Sequence, residues 1–291
     1  MSTSALLKKV RKIEIKTKGL SNHIFAGEYH TAFKGKGMAF SEVREYQPGD
    51  DIRSIDWNVT ARYNSPFVKV FEEEREMTVM LLIDVSASGN FGTQEQFKRE
   101  LATELAAILA FSAIKNNDKV GVIFFTDKVE QFIPPKKGKS HILRIIREVL
   151  AFEPKGKGTD IAGALEYFSA VIKKRSICFI LSDFMSKEFE KPLKIASKKH
   201  DLVALRIYDT REETLPNIGL VPMQDSETEK IQFVDTSSKK VRDNFAKNRA
   251  LKTEKLRKLL PASGVDLIDI TTGADYVKPL INFFKTRGKR R

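Results

Sequence analysis

MTVMLLIDVSAS, residues 77–88, is the stretch on which the architecture turns. Six of the seven positions from Met77 to Ile83 are apolar, Thr78 being the exception, and the run stops at three oxygen-bearing side chains, Asp84, Ser86 and Ser88. A short continuous apolar run containing β-branched residues reads as a strand buried on both faces. If the backbone stays extended past the strand end, alternation points Asp84, Ser86 and Ser88 the same way. The carboxyl end of a central strand is where open α/β sheets place their ligands. Three hard oxygens there suit a hard cation, and the rest of the chain must supply the missing ligands.

The bulk properties narrow the class. At 291 residues the chain can bury a substantial core as one large or two small domains. No apolar run approaches the roughly 20 residues that cross a bilayer. The opening MSTSALLKKVRKIEI has neither a long apolar stretch nor a small-residue cleavage site, so a cytoplasmic protein is expected. Cys178 is the single cysteine, excludes an intrachain disulfide, and reads as a small buried strand residue. The net charge of +13 raises nucleic acid as a partner. However, the basic residues are spread along the chain and do not interleave with aromatics, so a solvated basic surface is the preferred reading.

Along the chain, Leu6, Leu7, Val10 and Ile13 fall at helical spacing and predict a lead-in helix packed on the body or a partner. Residues 25–75 carry alternating apolar positions, several glycines and a Pro48-Gly49-Asp50 turn, which predict short strands and loops. Arg44, Tyr46, Asp50, Arg53, Asp56, Trp57 and Arg62 crowd there as a structural charge network or a recognition surface. From Met77 the rhythm is strand, helix, strand. Helical faces are expected over 96–115, 140–152, 160–173 and 187–199, and buried strands over 119–126, 176–181 and 201–208. Val129 to Ile133 is expected as an antiparallel edge strand closed by Pro134-Pro135. Later come a hairpin within 215–235, a charged helix, a last strand, a closing helix, and a frayed basic tail at 286–291. The division is 1–75 as helix plus β-rich segment, 76–285 as one α/β domain, and 286–291 as tail. The fold class is α/β, a doubly wound, mainly parallel, Rossmann-like sheet with an N-terminal β-rich extension.

Two more strand or helix boundaries complete the constellation. Thr159 sits where a glycine- and lysine-rich loop enters a helix, and Asp183 follows the strand SICFIL. In a doubly wound sheet Asp84, Ser86, Ser88, Thr159 and Asp183 can meet in one crevice. Each alone is as well explained as a turn or cap residue. Together they suit Mg²⁺, with Mn²⁺ or Ca²⁺ as alternatives, and softer ions find no His or Cys there. Competing motifs fall short. Gly138-Lys139-Ser140 lacks the earlier glycine of a phosphate loop, the four histidines show no paired spacing, and no G-x-S-x-G elbow surrounds the serines.

Asp84-Val85-Ser86-Ala87-Ser88, then Thr159 to Leu165 (TDIAGAL), then Asp183 resemble the three-part metal-ion-dependent adhesion site of von Willebrand factor type A domains. The resemblance implies that Ser86, Ser88 and Thr159 approach the ion directly, with Asp84 and Asp183 often acting through water. Upstream, Val43 to Tyr46, Pro48-Gly49-Asp50, Arg53 to Trp57 and Ala61-Arg62 resemble the signature of a bacterial family catalogued as domain of unknown function fifty-eight. That resemblance implies a type A domain and work beside a MoxR-type AAA+ ATPase in complex assembly or chaperone-like maturation. The function expected is a non-catalytic interaction module whose Mg²⁺ engages a partner protein's carboxylate. Membrane association, if any, would run through partners. The alternative is a metal-dependent phosphohydrolase or nuclease using the same ion and the basic surface, with Asp127 or Asp160 as base.

Overall fold

The computed structural model describes residues 8, 10–15, 17, 32–33, 38–73, 76–87, 97–156, 158–224 and 231–290. The described residues between 8 and 17 are helical, and Val10 and Ile13 are buried in the main core, so the lead-in helix packs on the body. Two antiparallel strands follow, β1 (Met38–Glu45) and β2 (Phe67–Glu73). Between them lies a helix, α1 (Trp57–Tyr63), where the sequence predicts only strands and loops. The cause is local. The Asp56 carboxylate accepts from the backbone N–H groups of Asn58 and Val59 at 3.0 and 3.3 Å, and Asn64 at φ 54° ends the helix. Seven residues are too few to display helical periodicity.

From residue 78 the alternation follows the expected order. The elements are β3 (Thr78–Asp84), α2 (Lys98–Lys115), β4 (Lys119–Phe125), β5 (Val129–Lys136), α3 (Lys139–Ala151), α4 (Ile161–Val171) and β6 (Ile177–Ser182). Then come α5 (Glu190–Lys199), β7 (Asp201–Tyr208), α6 (Thr210–Glu213), the hairpin β8 (Leu220–Gln224) and β9 (Ile231–Asp235), α7 (Lys239–Ala262), β10 (Asp266–Thr271) and α8 (Val277–Arg290). Six strands form one sheet in the order β10-β7-β6-β3-β4-β5, parallel except for β5 against β4. This is a doubly wound, mainly parallel α/β fold beside a small N-terminal two-stranded sheet.

Strand alternation divides the core. Val79, Leu81 and Ile83 of β3 face a cluster shared with α2, α3 and α8, whereas Met80 and Leu82 face one shared with α4, α5 and α7. Both faces are therefore covered, which is why β3 reads as unbroken apolar sequence. The chain leaves β3 for β4 on one side and later returns to β6 on the other. The carboxyl end of β3 is thus the point where the winding direction switches.

Two further expectations are corrected. Pro134 and Pro135 do not close β5, which continues to Lys136. It is an edge strand, where a missing N–H is tolerated. Gly121 on β4 permits the close pairing, since a Cβ there would stand 2.9 Å from both the Ile133 carbonyl oxygen and the Pro135 nitrogen. Residues 286–290 of the basic tail are helical, since α8 runs to Arg290; residue 291 lies outside the described residues. Arg287 is buried, pairs with Asp201 and Asp266, and stacks over the Phe33 ring at 4.7 Å. Cys178 is a buried core residue, as expected.

His200 ends α5 inside the second cluster, 2% exposed, with Nδ1 3.0 Å from Ser176 Oγ and its ring 4.4 Å from that of Phe168. Burial, with a smaller push from Lys199, lowers its pKa from 6.5 to about 4. Between those values the unfolded chain takes up a proton that the folded chain resists, so stability falls as pH drops. In denaturant titrations, His200→Gln should flatten the loss of stability between about pH 6.5 and 4 relative to the parent chain.

Candidate metal centre

The candidate site lies at the switch between β3 and β6, and Asp84 is its hub. One carboxylate oxygen, Oδ1, accepts the backbone N–H of Ser86 at 3.0 Å. The other, Oδ2, accepts the hydroxyl of Ser182 at 2.6 Å and that of Thr159 at 3.4 Å. The Ser86 hydroxyl also bonds Asp84. The chain bends at Ser86, so that bond to its own N–H, and not simple strand alternation, turns Ser86 toward the carboxylate. Ser88 lies outside the described residues.

Thr159 is delivered by a loop tied down at several points. Glu130 Oε1 accepts the backbone N–H groups of Gly156 and Lys155 at 2.7 and 3.1 Å and the Thr126 hydroxyl at 2.9 Å. A side chain at 156 would collide with Asp127 and Thr126, so glycine is required for this close approach. Asp160 N–H donates to the Thr126 carbonyl at 2.7 Å, while the Asp160 carboxylate caps α4 through Gly163 N–H at 3.0 Å. The Ser186 hydroxyl donates to the Thr159 carbonyl at 2.9 Å, joining this loop to the turn after β6.

That turn carries Asp183. Its Oδ1 accepts Met185 N–H at 3.0 Å, and its Oδ2 accepts the Lys98 ammonium at 3.0 Å. Phe184 sits at φ 58°, a left-handed conformation that strains a bulky residue by about 1–3 kcal/mol. Burial of its ring, 5% exposed in the second core cluster, offsets that strain and holds the turn.

The donor set fits a hard divalent cation. Among the described residues no three His, Cys, Asp or Glu side chains group as a metal site, so any ion here would rely on hydroxyl oxygens beside the two aspartates. Asp84 retains some exposed surface, yet its carboxyl is enclosed. Desolvation first, and the charge of Asp183 second, push its pKa up to about 6 despite the bonds from Ser182 and Ser86. Two carboxylates forced together under partial burial are what a cation relieves. The ammonium resting on Asp183 shows that this corner already attracts positive charge.

Asp84, Ser86, Thr159 and Asp183 thus converge as the sequence predicts. Ser182, Lys98 and Glu212 were missed. Ser182 adjoins Asp183, but nothing in one strand shows which hydroxyl crosses to its neighbour. Lys98 reads in sequence only as a polar position opening a helical face. Glu212 lies in a D-x-x-E pattern, Asp209 to Glu212, that signals a helix cap without showing what the glutamate faces.

The N-terminal group separates into two sets. Arg44 pairs with both oxygens of Asp50 at 2.8 and 2.7 Å, and Asp50 also takes Gln47 N–H at 2.8 Å, closing the Pro48-Gly49 turn. Arg44 holds the Asp50 carboxyl below its usual range. Asp56 caps α1, and Tyr46 N–H bonds the Pro66 carbonyl at 2.8 Å. Trp57, by contrast, is 68% exposed, and Arg53 and Arg62 are also exposed.

Fold and site together describe a doubly wound α/β protein with polar side chains gathered at the sheet's switch point. The chain belongs to the family described as Protein of unknown function DUF58, which matches residues 42–255. An uncharacterized protein of Mycobacterium tuberculosis is 28% identical over 281 residues, covering 96% of this chain and 88% of the relative. An uncharacterized protein of Bacillus subtilis, YeaD, is 30% identical over 109 residues, covering 38% of this chain and 25% of the relative. Among solved structures, BatB from Bacteroides thetaiotaomicron superposes with a TM-score of 0.47 at 14% identity, covering 73% of this chain and 99% of that one. The SpRpn10 VWA domain gives 0.39 at 12% identity, covering 71% and 94%. Among the described residues, no helix is long and apolar enough to cross a membrane.

Replacing Asp84 by Asn should remove the repulsion from Asp183 while keeping an oxygen for the Ser86 N–H. In chelator, the thermal midpoint of Asp84→Asn should rise by roughly 2–4 °C over the parent chain, read by differential scanning fluorimetry. A drop would mean that the carboxylate is structural.

Proposed function

We propose that this chain is a non-catalytic, divalent-cation-dependent protein interaction module. The observation that carries the reading is the gathering of Asp84, Ser86 and Thr159 with Asp183 at the sheet's switch point, a crevice with oxygen donors and excess negative charge. Asp84, Ser86, Thr159 and Asp183 would hold the ion, most simply Mg²⁺. When bound, it would offer a Lewis-acidic position to an incoming carboxylate. Neutral hydroxyls suit that task, because they hold a cation without cancelling the charge that attracts an acidic partner.

The protein's own side chains do the remaining work. Ser182 and Ser86 fix the Asp84 carboxylate, Glu130 fixes the loop that presents Thr159, and the Phe184 turn aims Asp183. The proposed partner is a protein bearing a surface carboxylate. The resemblance to the fifty-eight family makes a MoxR-type AAA+ ATPase, or a client of one, the first candidate. The two aspartates that a hydrolytic reading would use as base are engaged in local structure. Asp160 caps α4, and Asp127 accepts the Thr126 hydroxyl at 3.0 Å. Their engagement favours holding over cutting.

Thr159→Val should lower affinity for Mg²⁺ or Mn²⁺ by about 10- to 100-fold in calorimetric titration, with the circular dichroism spectrum unchanged. Protein captured from native lysate by the parent chain should be released by EDTA and restored by Mg²⁺. Capture that is indifferent to chelator would sink the metal-bridge reading.

A further inference from the structure

Lys98 opens α2, yet its side chain is only 4% exposed. Its ammonium touches Asp183 Oδ2 at 3.0 Å and Glu212 Oε1 at 2.7 Å. Glu212 is held in place by its own helix. It completes a capping box in which the Asp209 side chain accepts the Glu212 backbone N–H and the Glu212 side chain accepts Asp209 N–H at 3.2 Å; Asp209 also accepts Arg211 N–H at 2.8 Å. Asp209, fully buried, is itself fixed by the Thr272 hydroxyl at 2.6 Å. Three separate elements, α2, the end of β6 and α6, therefore meet on one ammonium. A lysine is rarely buried so deeply unless carboxylates compensate it. Among the described residues Asp183 and Glu212 share this ammonium, and the charge of Asp183 also acts on Asp84.

We infer that Lys98 is a tethered counter-ion that competes with the divalent cation for Asp183 and so sets how tightly the site binds metal. The inference rests on the metal-site reading proposed above. In the metal-free chain the ammonium holds Asp183 and screens it from Asp84. When a cation enters, Lys98 yields Asp183 and keeps Glu212, so the lost ion pair and the residual repulsion between the two cations are subtracted from metal affinity. Glu212 works in the opposite sense, because it gives the ammonium somewhere else to stay. Weaker binding moves half-saturation of the site to a higher cation concentration.

Calorimetric titration of Mn²⁺ or Mg²⁺ into the full chain, alongside thermal denaturation in EDTA and in Mg²⁺, tests this. Lys98→Gln should bind metal more tightly, on the order of tenfold. Its midpoint should fall in EDTA and recover in Mg²⁺ by more than the parent chain's does. Glu212→Gln should bind metal more weakly, and Lys98→Arg should stay near the parent value. Opposite shifts are the signature, since a merely structural role would move both variants the same way or leave affinity unchanged. Parent-level affinity in both, or shifts of one sign, overturns the counter-ion role and leaves the metal site standing. If the parent chain and Asp84→Ala alike fail to bind either ion, the metal-site reading itself falls. Should Lys98→Gln not fold, the direction of the Glu212→Gln shift decides alone.

Discussion

Two aspartates brought side by side at the ends of adjacent parallel strands are the constraint around which this structure is arranged. Desolvation of the enclosed Asp84 carboxyl, with the charge of Asp183 second, raises its pKa to about 6. A fold selected for stability alone would not place like charges there. The surroundings offset the repulsion at several points. Ser182 and Ser86 bond the first carboxylate, and Lys98 and the Met185 N–H bond the second. The fold supplies the leverage, because β3 and β6 are held in register by a ladder from Val79–Ile177 to Ile83–Leu181 that is buried on both faces.

Around that pair the irregular backbone has clear physical causes. The left-handed Phe184 is a costly conformation that persists because its ring is packed in the second cluster. The loop before Thr159 has few apolar anchors of its own, so Glu130 reaches across from the edge strand to hold its N–H groups. Edge strand and candidate crevice are thereby connected. β5 does not end at its prolines, and Glu130 sits on it.

Much of this was legible in residues alone. The apolar run to Ile83, the strand SICFIL and the strand DLVALRIY declare themselves because strands covered on both faces must be apolar throughout. Asp84, Ser86, Thr159 and Asp183 were legible because each stands where an element begins or ends. The charged residues that serve the site were not. Lys98 and Glu212 lie 114 positions apart and are joined by a 2.7 Å contact that no local pattern encodes. Arg206 is likewise hidden. It interrupts an otherwise apolar strand, and it is tolerated at 2% exposure because Asp269, Glu213 and Thr253 converge on it from three other elements. Helix α1 escaped for a different reason, being too short for periodicity to speak.

Sequence by itself determined the class of sheet, the order of its main strands and helices, and four of the polar residues that meet at its switch point. These follow from hydrophobic periodicity and from end-of-element chemistry, both local properties of the chain. Only the tertiary structure decided which charges meet. It set a buried ammonium against Asp183, bent Ser86 back onto Asp84, and packed the last basic turn of α8, through Arg287, against Asp201 and Asp266. The physical reason is that the energy of a charge depends on its distance from other charges and from water, and both are set by contacts between residues remote in the chain.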